Sequence, residues 1–188
     1  MRSFVRGKAG GYTAVHKFWF EEIDPKQWWA RDDDLDELIR QRFSDLHQKA
    51  VRCELYPWRK TPRGRLAEII ALDQFSRNIF RNRPEAFAND ALALALAQVA
   101  VDFGMDKELN ASEKSFLYMP FMHSESLDMH DIAMALYAQE GLEYNYDFEK
   151  KHKAVIERFG RYPHRNAILG RESTPEEIEY LQQPGSGF

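Results

Sequence analysis

RLAEIIALDQFSRNIFR, residues 65–81, decides the fold. On a wheel at about 100° per residue, Leu66, Ile69, Ile70, Leu72, Phe75, Ile79 and Phe80 cover a wide apolar arc. A helix with so broad an apolar surface belongs in the interior, covered by other helices. Asp73 and Arg77 fall inside that arc, one turn apart. Gln74 and Asn78 lie on the other side with Ala67 and Ala71, small residues that let another helix approach. Burying such polar groups costs several kcal/mol each unless they are paired. One reading is structural: an i,i+4 ion pair with amide contacts to neighbouring helices. The other is functional: the groups line a cleft, where a guanidinium held by a carboxylate is a pre-oriented anion hook.

Helical periodicity continues on both sides, and no alternating strand pattern appears. Upstream, an aromatic segment from Tyr12 to Phe20 ends before Pro25. A helix then opens at the acids Asp32–Asp34, with Leu35, Leu38, Ile39, Phe43, Leu46 and Ala50 on one face. Thr61-Pro62 restarts the chain as a capping residue followed by a first-turn proline. Downstream, Asp90 to Phe103 reads as an Ala/Leu-rich helix closed by Gly104. Asn110-x-x-Glu113 is a capping box for a helix that stops near Pro120. Further helices are expected from about Glu125 to Glu140, from Asp147 to a stop at Gly160, and from the capping box at Thr174. Seven or eight helices with short links form antiparallel neighbours in one all-α domain over residues 12–188, behind a flexible N-terminal stretch, 1–11.

The stretch FGRYPHRNAILGR, 159–171, is irregular and concentrates Arg161, His164, Arg165, Asn166 and Arg171. Its cations suit a helix C-terminus. They also suit a polar recognition loop on a rigid scaffold, with His164 as acid or base near neutral pH. His123-Ser124-Glu125 stands at another helix start, where Ser124 as cap and Glu125 in the first turn are sufficient explanation. His123, Glu125, Asp128 and His130 have no recognised metal-ligand spacing, so no metal or other cofactor is expected. His152 shares an apolar stripe with Val155, Ile156 and Phe159 and reads as a core histidine. Ser76 and Ser124 lack a nucleophile elbow, Cys53 lacks an evident base, and no glycine-rich phosphate loop is present. The four tryptophans, Trp19, Trp28, Trp29 and Trp58, suit inter-helix packing or the floor of a pocket.

Composition narrows the classes. The 188 residues are 44% apolar and 13% aromatic, ample for a core. A net charge of −4, with both signs mixed along the chain, argues against nucleic-acid and membrane-surface partners, which need a concentrated basic face. The single cysteine, Cys53, allows no internal disulfide and points to a reducing compartment, so a soluble cytoplasmic protein is expected.

Four segments in order, KFWFEEIDPKQWW (17–29), TPRGRLAEIIALDQFSRNIFR (61–81), FLYMPFMHSES (116–126) and FGRYPHRNAILGRESTPEE (159–177), resemble the bacterial family "domain of unknown function 924" over about residues 15–188. The resemblance implies an all-helical fold similar to a short tetratricopeptide-repeat superhelix, without readable repeats, and implies no established activity. Its polar motif positions fall here on Asp73, Gln74, Arg77, Asn78, His123, Ser124, Glu125, His152, Arg161, His164, Arg165 and Asn166. His130 departs from it, standing where a glutamine is expected.

Asp73 with Gln74, Arg77 and Asn78, His123 with Glu125, and Arg161 with His164, Arg165 and Asn166 are therefore expected to meet in one polar cleft. It would bind a small anion, or an acidic or C-terminal peptide. The alternative is a hydrolase or transferase on an anionic substrate, with histidine as acid/base and arginine stabilising charge. An oligomer that buries the aromatic N-terminal segment against a second copy is a third possibility.

Overall fold

The structure is a computed structural model that describes residues 11–187. Eight α-helices are present among them, and no strand. Helix α1 (Gly11–Lys17) runs into a π-helical turn (Phe18–Glu22). Then come α2 (Asp33–Val51), α3 (Pro62–Ile79), α4 (Asp90–Asp102), α5 (Ala111–Met122), α6 (Leu127–Tyr137), α7 (Glu143–Phe159) and α8 (Pro175–Leu181). The expected flexible stretch, 1–11, lies outside the described residues except for Gly11, which opens α1.

The caps sit where side-chain chemistry places them. Asp32 accepts from the backbone N–H groups of Asp34 and Leu35, and Thr61 from that of Gly64. Asn110/Glu113 and Thr174/Glu177 close complete capping boxes. Gly104 and Gly160 end helices at φ 67° and 68°, a left-handed conformation that costs glycine nothing.

Helix α3 is the pillar. Thirteen of its 18 residues are buried, so every side of it needs a covering element. Helices α1, α2, α4 and α5 supply those covers, while α6 packs on α5 and α7 on α6. The aromatic N-terminal segment is used up inside this fold: Val15, Phe18 and Trp19 are buried, and Trp19, Phe20, Trp28 and Trp29 all pack on Phe116 of α5. A smaller cluster of Val155, Ile156 and Tyr162, with Phe159 and Tyr180 against it, fixes α8 and the preceding loop to α7.

Several boundaries and one buried face differ from expectation. Leu38 is exposed, and the buried face of α2 is rotated toward Asp36 and His47. That rotation brings Asp36 to Arg81 and Asn78, and His47 to the Ser76 hydroxyl at 2.8 Å. Helix α5 continues through Pro120, because a proline removes only one ladder N–H and Phe121 and Met122 are drawn into the core. Helix α6 starts at Leu127, not near Glu125, because Glu125 is engaged elsewhere, and Ser124 caps no helix but accepts from the Ser126 N–H. Helix α7 begins at Glu143, ahead of Asp147.

Gly64 makes the entry to α3 testable. A Cβ there would lie 2.2 Å from the Trp58 carbonyl oxygen and 2.7 Å from the Thr61 hydroxyl. Glycine to alanine in a helix ordinarily stabilises by up to about 1 kcal/mol. Here Gly64→Ala is expected to destabilise by about 1–3 kcal/mol through overpacking against backbone, read as a lower urea midpoint.

Candidate functional site

The polar residues of α3 meet α5 and the loop after α7 at one end of the pillar. Asp73, 1% exposed, is the hub. The Nδ1–H of His123 donates to its Oδ1 at 2.7 Å, and Arg77 Nη1 lies 3.0 Å from the same oxygen. The Gln74 amide donates to Oδ2 and also meets Met119 Sδ at 3.1 Å. Burial alone would raise the Asp73 pKa, but Arg77 and His123 overcome it and hold the carboxyl well below the usual range. Burial and the Arg77 guanidinium push the His123 imidazole below its ordinary value, against the pull of Asp73. The ring is therefore neutral at pH 7. With Nδ1–H committed to Asp73, its Nε2 is a bare acceptor with no partner among the described residues.

Arg77 also forms a two-pronged pair with Asp90, the first residue of α4, at 2.9 and 3.0 Å. Arg165, 6% exposed, reaches the same Asp90 at 3.3 Å and donates to the His123 carbonyl at 3.0 Å. The two guanidiniums lie over the Phe87 ring, at 5.5 and 4.7 Å, and Arg165 also covers Tyr162 at 4.6 Å. One carboxylate thus serves two arginines, and the Nε of Arg165 is buried without a hydrogen-bond partner.

A cleft of about 640 Å³ opens in front of this network. Its lining includes the aromatics Trp19, Trp28, Trp29, Tyr144 and Phe148. It also includes Gln74, Arg77, Asn78, Arg81, His123, His164 and Arg165, with Arg31 and His152. No aspartate or glutamate lines it. The partner carboxylates lie outside the lining: Asp73 and Asp90 pair with Arg77, Asp36 with Arg81, and the exposed Asp33 with Arg31.

Six of the residues singled out from sequence line the cleft: Gln74, Arg77, Asn78, His123, His164 and Arg165, with Asp73 directly behind them. Glu125, Arg161 and Asn166 do not, so all three motifs reach the cleft, the second and third with only part of the residues expected there. They lock the loop that presents His164 and Arg165. Glu125 pairs with Arg171 at 2.8 and 2.9 Å and accepts the Tyr162 N–H at 2.8 Å. Arg161 grips Glu177 at 2.7 and 2.8 Å, holding that carboxyl at about 2, and Asn166 Nδ2 donates to Glu177 at 3.2 Å. These groups are placed where they hold a loop, which spacing along the chain does not distinguish from lining a site.

Three groups in or beside the lining were not singled out in the sequence. Arg81, just past the end of α3, follows Asp73 and Arg77 at four-residue intervals, a spacing visible in the sequence. Asp90 and Phe87 carry no such local signal; only tertiary contact gives them their partners. His130 is fully buried, with Nδ1 2.6 Å from Glu149 and Nε2 2.8 Å from the Ser124 carbonyl, a packing role that suits its departure from the expected glutamine. No cluster of three or more His, Cys, Asp or Glu with metal-holding geometry occurs among the described residues, and no described helix is long and apolar enough to cross a membrane.

This chain belongs to the family described as "Bacterial protein of unknown function (DUF924)", whose model matches residues 15–185. It is similar to a solved structure of a protein of unknown function from Agrobacterium tumefaciens, with 36% identity and a TM-score of 0.83 over 91% of this chain and 96% of that one. No curated protein matches it.

Two histidines of the cleft give stability a pH dependence. Burial holds His152 at about 3 and His164 at about 4, against an ordinary 6.5. In the unfolded chain both take up protons as pH falls through 6.5, while in the folded protein they stay neutral, so their contribution is complete above 6.5 and is lost as pH falls toward 4. The melting temperature is expected to fall over that window, and His152→Gln to flatten the slope; an unchanged slope in the variant would contradict the assignment.

Proposed function

We propose that this member of the family binds a small organic anion with a flat apolar body in the cleft between α3, α5 and the loop after α7. The observation that carries the reading is the segregation of charge: four arginines reach the lining and no carboxylate does, in a chain whose net charge is −4. Acids placed behind the arginines fix their geometry without occupying their outer face. An incoming carboxylate or phosphate then meets positive groups that are already oriented, so little ordering entropy is lost on binding.

Size and wall chemistry support the rest of the reading. A volume of about 640 Å³ is that of a small-molecule site and is small for an extended peptide. The tryptophans in the same lining offer an aromatic surface for a ring. Covering roughly 100 Å² of ring surface at about 25 cal/mol per Å² contributes about 2.5 kcal/mol, or roughly 60-fold in affinity.

Titration of the intrinsic tryptophan fluorescence tests both halves. Benzoate is expected to give a saturable change, with benzamide (the ring without the charge) and acetate (the charge without the ring) each at least about tenfold weaker. Benzamide binding as tightly as benzoate would remove the role assigned to the arginines.

A further inference from the structure

The groups around Asp73 do more than an anion hook requires. Asp73 is shut away from water and ionised, and it accepts from the Nδ1–H of His123 at 2.7 Å. That contact fixes the ring's orientation and its tautomer. The nitrogen left over, Nε2, belongs to a side chain that lines the cleft, and no described residue occupies it. His130, on the neighbouring helix, has both of its nitrogens engaged. His123 instead turns a bare, neutral base toward the space where a ligand would sit, a carboxylate behind it and the Arg77 guanidinium alongside.

We propose that the cleft hydrolyses esters of small aromatic or apolar anions, with His123 as general base, Asp73 as its positioning residue and Arg77 as the stabiliser of developing negative charge. No serine, threonine or cysteine lines the cleft, so water is the nucleophile. His123 Nε2 takes a proton from the water as its oxygen bonds to the acyl carbon, and the carbonyl electrons move onto oxygen beside the arginine. When the intermediate collapses, the carbon–oxygen bond to the leaving alcohol breaks and the imidazolium returns the proton to that oxygen. One ester and one water become one acid and one alcohol, with no other reactant. Asp73 keeps Nε2 unprotonated at the start and stabilises the imidazolium between the two transfers.

This rests on the anion-binding reading, and the test separates the two. The probes are ortho-, meta- and para-acetoxybenzoate, which carry ring, carboxylate and ester together, with benzoate binding to the wild-type protein measured in parallel. At least one probe is expected to be hydrolysed catalytically, and His123→Gln to lower that rate by about 100-fold or more. The acid limb of the wild-type pH–rate profile is expected below 6.5, and Asp73→Asn to move it lower still, because the anion that favours the imidazolium is gone. A purely structural Asp73 would lower the rate without moving the limb. If Asp73→Asn does not fold, the His123→Gln comparison decides alone. Benzoate binding without His123-dependent turnover of any probe overturns the catalytic proposal and leaves the binding reading in place; failure of benzoate to bind as well removes both.

Discussion

An ionised carboxylate in the middle of a buried helix must be surrounded by donors, and in this protein Asp73 sets where those donors come from. Arg77 reaches it from its own helix, Gln74 from the next residue and His123 from the end of α5. Satisfying one charge therefore fixes how α5 meets α3. The same need passes outward, since Arg77 requires Asp90, Asp90 takes Arg165 as well, and Arg165 ties the loop after α7 back to the His123 carbonyl. A buried pair is rarely a net gain over a well-packed apolar core. Its consequence here is geometric: three chain segments distant in sequence are held in one register around a cleft.

The charged residues divide into two populations. Glu68 with Arg59, Glu125 with Arg171, and Glu177 with Arg161 and Asn166 tie loops to helices and lie away from the cleft. Arg77, Arg81 and Arg165 have their acids behind them and a face toward the open space. A mildly acidic chain thus has arginines and no carboxylate in the lining of its cleft, which total charge could not reveal. The aromatic part of the lining comes from the N-terminal segment and α7, so the cleft is assembled from segments far apart in the sequence.

Much of the helix inventory could be read directly, because capping is local chemistry. Thr61 before Pro62, Asn110 with Glu113, and Thr174 with Glu177 each act within one turn, and each helix begins where they say. Reading failed where a side chain was recruited from far away. Leu38 lost its place in the core because Asp36 and His47 had partners on α3, and the start of α6 moved because Glu125 had a partner 46 residues on. In the loop after α7, neighbouring residues serve different ends: Arg161 and Asn166 bond to Glu177, while His164 and Arg165 reach the cleft.

By itself the sequence determined that the chain is helical, that residues 65–81 lie at its centre, and that Asp73 and Arg77 had to be compensated, because periodicity and the desolvation of charge are properties of a segment. Tertiary structure alone decided what compensates them and which way they face. Asp90, Phe87 and the tryptophans acquire their roles only when α4, α5 and the N-terminal turn close on α3, since the partner of a buried charge is chosen by distance in space and not by distance along the chain.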